Sequence, residues 1–225
     1  MTVFSLESGA VLTRQYGPYT TSENALYQRL WPSFQKGDIL LGDRNFGAWG
    51  SLASFQQQDV DGIFQLHACG NKDFRQGSRL GPNDRLVLWP QPTNKPTNMT
   101  QAQWLALPAT LTVRLIRFRV PHRKGRGNKI ILVTTLTDSL LWPVALLAAL
   151  YARRWQIELY LDDIKTTLHL EMLSCLSPAM VHKELEMHFI AYNLIRSIMG
   201  EVAATCHVPL ERLSFKGTLD TARQF

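Results

Sequence analysis

The hydrophobic period changes along the chain, and that change fixes the fold class. Up to about position 67 the apolar runs are short: Thr2-Val-Phe-Ser-Leu6, Ala10-Val-Leu-Thr13, Ile39-Leu-Leu-Gly42 and Gly62-Ile-Phe-Gln-Leu66. Bounded by Gly or polar residues, runs of this length are strands. The run 38–43 is apolar between its two acids, which predicts a strand buried in a parallel sheet. Ser22 is placed to cap a helix starting in Tyr19–Leu26, and Ser51–Gln58 reads as a second short helix. From Leu140 onward apolar residues recur every three or four positions, which predicts one long helix over 140–168 and another over 180–207. The order β-β-α-β-α-β, an irregular insertion, then β-α-α is that of an α/β fold with a mixed sheet. With 225 residues, 45% of them hydrophobic, the chain has material for a sizeable core and is not globally disordered.

Several classes of function drop out. The longest apolar run, Leu140–Ala152, contains Pro143 and is shorter than the roughly 20 residues a membrane span needs. No charged segment followed by a long apolar one opens the chain, so a secretory signal is not read and the cytosol is the default. Cys69, Cys175 and Cys206 have no CxxC spacing, which argues against a thiolate zinc site or disulfide scaffold and for three buried, inert thiols. The histidines show no paired ligand spacing, and no GxSxG, Walker or dinucleotide motif is present.

Charge is distributed unevenly. Residues 85–137 contain no Asp or Glu but hold Arg85, Lys95, Arg114, Arg117, Arg119, Arg123, Lys124, Arg126 and Lys129. The net +6 of the chain therefore comes from this stretch alone. Such a patch suits a phosphate backbone, and a solvated, solubilising loop is the plain alternative. The same region is punctuated by Pro90, Pro92, Pro96 and Pro108, and Leu111–Val120 alternates apolar with Arg or Thr. It reads as a β-rich basic insertion over residues 70–129, between core segments 1–69 and 130–225.

Two carboxylates stand out. Asp43 follows the apolar strand directly and precedes a loop with Asn45, Gly47 and Gly50. Ligands of open α/β sheets collect beyond the carboxyl ends of strands, although an Asp there also caps turns. Glu158 lies in Tyr151–Lys165. At about 100° per residue, Tyr151, Arg154, Glu158 and Lys165 fall on one polar stripe beside an apolar face. A carboxylate flanked by Arg and Lys can hold a divalent cation and phosphates, or it can lace an amphipathic helix with i,i+4 pairs.

The spacing Tyr151-x2-Arg154-x3-Glu158-x6-Lys165 resembles the YREK signature of insertion-sequence DDE transposases of the IS-four family. Gly37-Asp-Ile-Leu-Leu-Gly-Asp43-Arg-Asn-Phe46 resembles that family's second-aspartate motif. Ile130–Asp138 resembles the strand leading into its last catalytic helix, and Ser214-Phe-Lys-Gly217 its C-terminal region.

This resemblance implies an RNase H-like mixed sheet flanked by helices, with a β-rich insertion between the second and third catalytic acids. Asp43 and Glu158 would be those acids and would ligate two Mg²⁺ or Mn²⁺ ions. Tyr151, Arg154 and Lys165 would contact DNA near the transposon end, with Arg117, Arg119, Arg123, Lys124 and Arg126 binding DNA from the insertion. Trp155 could stack on a base or lie in the core. The implied partners are double-stranded DNA at transposon ends and target, and a second copy of the chain on paired ends; a bacterial nucleoid location follows. No early acid, Glu7 included, matches the first catalytic Asp. The expectation is therefore a chain truncated before that residue and weak or inactive as a nuclease alone. A non-catalytic DNA-binding remnant and an RNase H-like nuclease are the alternatives.

Overall fold

Short apolar runs become strands and the periodic stretches become helices, with two breaks that the period did not announce. The computed structural model of the chain describes residues 1–67, 70, 73–122 and 125–224, with the backbone alone for 120–122 and 125–128. The elements are β1 (Thr2–Phe4), β2 (Val11–Arg14), α1 (Glu23–Leu30), β3 (Ile39–Gly42), α2 (Trp49–Gln57), β4 (Asp61–Gln65), β5 (Ser78–Gly81), β6 (Asp84–Pro90), α3 (Gln101–Leu105), β7 (Thr110–His122), β8 (Gly125–Thr134), α4 (Val144–Ala152), α5 (Gln156–Asp162), α6 (Pro178–Cys206) and α7 (Phe215–Ala222). They form two compact units, Gln15–Ala152 and Met1–Arg14 with Arg153–Phe225.

The Gln15–Ala152 unit is built on a six-stranded mixed sheet, ordered β3-β4-β8-β7-β6-β5. β3 pairs with β4 in parallel, and every other pairing is antiparallel. Strand alternation sends Ile63 and Phe64 of β4 to opposite faces. Ile63 joins Ile116, Leu132, Leu136, Leu147 and Tyr151 in a core under α4. Phe64 stacks on Phe55 of α2, which packs in turn on Tyr27, Trp31 and Phe34. Both faces of β4 are thus covered, and its apolar run follows from that. β3 pairs in parallel as its sequence predicts but stands at the sheet edge and is only half-buried.

Among the described residues, the strands of the basic stretch join the same sheet as β3 and β4. β7 and β8 extend the core sheet outward, and β6 and β5 pair onto β7. Asp84 and Arg114, on the face shared with Ile116, are both buried there.

In the Met1–Arg14/Arg153–Phe225 unit, the β1–β2 hairpin is held by α6. Asn193 mimics a strand neighbour: it accepts from the Val11 amide at 2.8 Å and donates to the Val11 carbonyl at 2.9 Å. The Tyr192 hydroxyl donates to the Gly9 carbonyl, and Arg196 donates twice to the Ser8 carbonyl. Gly9 sits at φ +70° with no room for a Cβ against Arg196, so the turn requires glycine. Ser177 caps α6 with Pro178 in its first turn, and His207 ends it in the left-handed conformation.

The single helix predicted over 140–168 is instead segmented. α4 is followed by a 3₁₀ turn at Arg153–Trp155, then by α5, then by a π turn at Asp163–Thr167 in which the Leu168 amide bonds to the Asp163 carbonyl. The expectation of buried thiols is also corrected: Cys206 is exposed and Cys175 half-buried, while Cys69 lies outside the described residues.

Candidate functional site

Asp43 begins the turn that leaves β3. Its Oδ1 accepts from the Arg44 amide at 2.6 Å, and its carbonyl accepts from the Phe46 amide at 3.1 Å. The turn is seated by aromatics. Phe46 packs on Tyr27 with centroids 4.8 Å apart. A Cβ on Gly42 or Gly47 would stand 2.5 Å from Phe64. The glycines on either side of Asp43 thus let the chain close over that ring. Burial pushes the Tyr27 phenol well above its ordinary range, so it is a neutral wall and not a proton donor or acceptor at working pH.

In the other unit Glu158 stands in the first turn of α5, its side chain 54% exposed, 3.7 Å from Arg154. The Arg154 guanidinium lies over the Trp155 ring at 5.2 Å. Trp155 is exposed, which settles its alternatives against the core. Lys165 is exposed in the π turn. Tyr151 is 4% exposed in the core under α4. The 3₁₀ turn lies between Tyr151 and Glu158, and the π turn carries Lys165. The single stripe drawn on one ideal helix therefore does not describe these residues. The structure brings Arg154, Glu158 and Trp155 together; Asp43 and Tyr151 belong to the other unit.

The basic stretch is sorted by strand register. Arg119 pairs with Lys129, Arg117 with Ile131, Leu115 with Arg85, and Arg85 with Arg79. Directly opposed residues share a face, so Arg79, Arg85, Arg117, Arg119 and Lys129 all emerge on one side of the sheet. Arg117 is held there by Asn83 Oδ1 at 3.0 Å and by the Phe74 ring at 4.5 Å. Arg114, one residue out of phase, turns to the opposite face and is buried on Asp84. Arg79 and Lys129 were not singled out as binding residues from sequence, though a period-2 count from Arg117 adds Lys129 once the β7–β8 pairing is known. Arg123 and Lys124 lie outside the described residues, as does the Arg126 side chain.

A second feature not anticipated is Asp163, half-buried at the start of the π turn. Burial pushes its carboxyl up to about 6, with Asp162 adding to the rise and Arg196 opposing it. It lines a cavity of about 140 Å³ with Glu7, Tyr160, Arg196 and Glu211.

Among the described residues no three His, Cys, Asp or Glu side chains converge as a metal cluster, and no helix is long and apolar enough to cross a membrane. The pattern of the transposase DDE domain family matches residues 1–194. The chain belongs to that family. Its six-stranded mixed sheet flanked by helices agrees with the RNase H-like transposase fold that the resemblance implied. It is also 27% identical over 200 residues to the transposase InsG for insertion sequence element IS4 of Escherichia coli (strain K12). That match covers 88% of this chain and 43% of InsG, so the chain spans less than half the length of its relative.

Proposed function

We propose that this transposase-family chain carries the second and third acids of a DDE site, Asp43 and Glu158, for DNA strand cleavage and transfer at transposon ends. The observation that carries the reading is the Arg154–Glu158 pair, set at the spacing of the signature, with the Glu158 side chain 54% exposed beside a largely buried Arg154. Carboxylate oxygens are hard donors that suit Mg²⁺ or Mn²⁺, and the Glu158 side chain that carries them is more than half exposed. Divalent ions held there would activate the attacking hydroxyl and stabilise the leaving oxygen of an in-line displacement.

The chain's own groups have separable roles. Arg154, placed between Glu158 and Trp155, holds a phosphate in a forked geometry that Lys could not reproduce. Lys165 supplies a mobile point charge. Tyr151, packed in the core with its hydroxyl buried, positions the end of α4; its DNA contact is proposed from the signature alone. The basic sheet face, Arg117, Arg119 and Lys129 with Arg123, Lys124 and Arg126 of the same insertion, holds the duplex backbone. We assign residues 70–129 to this binding insertion and 1–69 and 130–225 to the catalytic core. Two copies would work on paired ends in the bacterial cytosol, at the nucleoid. With only two of the three acids matched to motifs, the chain alone is a weak nuclease.

The test is Mn²⁺-dependent nicking of supercoiled plasmid by the chain beside Glu158→Gln and Asp43→Asn. Trace nicking that both substitutions abolish supports the assignment, and nicking unaffected by either refutes it. The second reading, a DNA-binding remnant, is favoured by the basic face. It predicts binding that falls steeply with salt, is indifferent to Mg²⁺, and is accompanied by no cleavage. An RNase H-like nuclease would cut without joining a 3′-hydroxyl end to a target.

A further inference from the structure

Helix α6 has two apolar faces, and only one is used. Phe189, Tyr192, Ile195, Arg196 and Met199 are buried. On the opposite side Met180, Met187, Ile190, Leu194, Ile198 and Val202 are exposed, Met187 by 63% and Leu194 by 60%. At about 100° per residue these six fall within a band roughly 120° wide, centred about 140° round the helix from the middle of the buried face. A continuous apolar stripe on a soluble surface marks an interaction site.

The charges on this stripe identify the occupant. Lys183 lies near its N-terminal end and Glu201 near its C-terminal end, both exposed. They are 18 positions apart, which at about 3.6 residues per turn is five whole turns, so they share one azimuth about 27 Å apart. An antiparallel copy of the same helix, related by a two-fold axis that crosses the exposed face at the level of residue 192, sets Lys183 of one copy opposite Glu201 of the other, twice. The same axis sets Ile190 opposite Leu194. A parallel copy would oppose Lys183 to Lys183 and Glu201 to Glu201.

We propose that this face of α6 is a self-association surface on which a second copy of the chain lies antiparallel, closed by two symmetric Lys183–Glu201 pairs. The contact is isologous. One helix pair buries less than a standard interface, so association is expected in the micromolar range. The proposal gives a surface to the pairing of two copies suggested above. Its test uses neither DNA nor metal, so the DNA chemistry stands or falls separately.

The experiment is sedimentation equilibrium of the full chain over a wide concentration range, with circular dichroism confirming that each variant stays folded. The parent is expected to dimerise. Leu194→Asp should raise the dissociation constant at least about tenfold. Lys183→Glu and Glu201→Lys should each raise it about three- to tenfold, because each replaces two attractions by two repulsions. The combined swap should return it to within about twofold of the parent. A monomer at every concentration, dimerisation indifferent to Leu194→Asp or to the single reversals, or a combined swap no better than the singles would each overturn the proposal; the first would assign the stripe to a different partner.

Discussion

Arg114 donates to both carboxylate oxygens of Asp84, at 2.8 and 2.6 Å, with the two side chains 1% and 5% exposed. Its remaining terminal nitrogen donates to the Trp142 carbonyl at 2.7 Å and reaches those of Asp138 and Leu136. One guanidinium therefore ties β6 and β7 to the turn that launches α4. Removing one partner strands the other charge. Arg114→Met should destabilise the fold by about 3–5 kcal/mol, and Asp84→Ala by a similar amount. Arg114→Lys should recover little, since an ammonium cannot make the bidentate contact. Urea unfolding of the three variants measures this. Wild-type stability in Arg114→Met would show that the pair is dispensable.

The neighbouring cations should behave oppositely. Arg119 and Lys129 oppose each other on the exposed face. Arg119→Ala and Lys129→Ala should each leave the unfolding midpoint within about 0.5 kcal/mol of the parent. Each should lower the slope of log affinity against log salt for duplex DNA by about 1. Titration of a labelled duplex across a salt series decides this, and unchanged slopes would remove this face from the DNA interface.

The contrast between Arg114 and Arg119 shows where sequence was informative. The acid-free stretch announced a basic surface, but composition cannot say which cations reach it. Strand register decides that, and β7 puts Arg114 and Arg117 on opposite faces because three residues is an odd step at period 2. The strands around Asp43 and the cap at Ser22 were legible because local chemistry sets them. The 3₁₀ turn at Arg153–Trp155 was not, since good helix formers run through it and the break depends on tertiary context. Asp163 escaped notice for the same reason: the cavity it lines is shared with Glu7, Arg196 and Glu211, all far from it in sequence.

Phe64 gives a test of how the Asp43 turn is held. Gly42→Ala would press a methyl against Cε1 of a ring that is itself 1% exposed. The expected cost is about 1–3 kcal/mol. Phe64→Leu removes that ring carbon at the expense of a cavity, so the two changes should be non-additive, with the double variant more stable than the sum of the singles by about 1 kcal/mol. Thermal or urea unfolding of the four-member cycle reads this out. Strict additivity would mean that the turn does not rest on Phe64.

Asp163 makes stability depend on pH. Its carboxyl sits at about 6, against an ordinary 3.8, chiefly because it is buried. Below about pH 4 the folded and unfolded chains both hold the proton, and burial of the neutral acid costs little. As pH rises through 6 the folded chain must ionise a group that the unfolded chain ionised earlier, so stability is lost across that interval. Arg196, held on the Ser8 carbonyl and over the Tyr160 ring at 4.7 Å, offsets only part of this, and Glu7 and Glu211 line the same cavity. Asp163→Asn keeps the shape and removes the ionisation. It should be more stable than the parent by roughly 1–2 kcal/mol at pH 7.5, with the difference closing toward pH 4. Unfolding midpoints of both proteins between pH 4 and 8 test this; parallel curves would show that Asp163 ionises in the folded chain as freely as in the unfolded one.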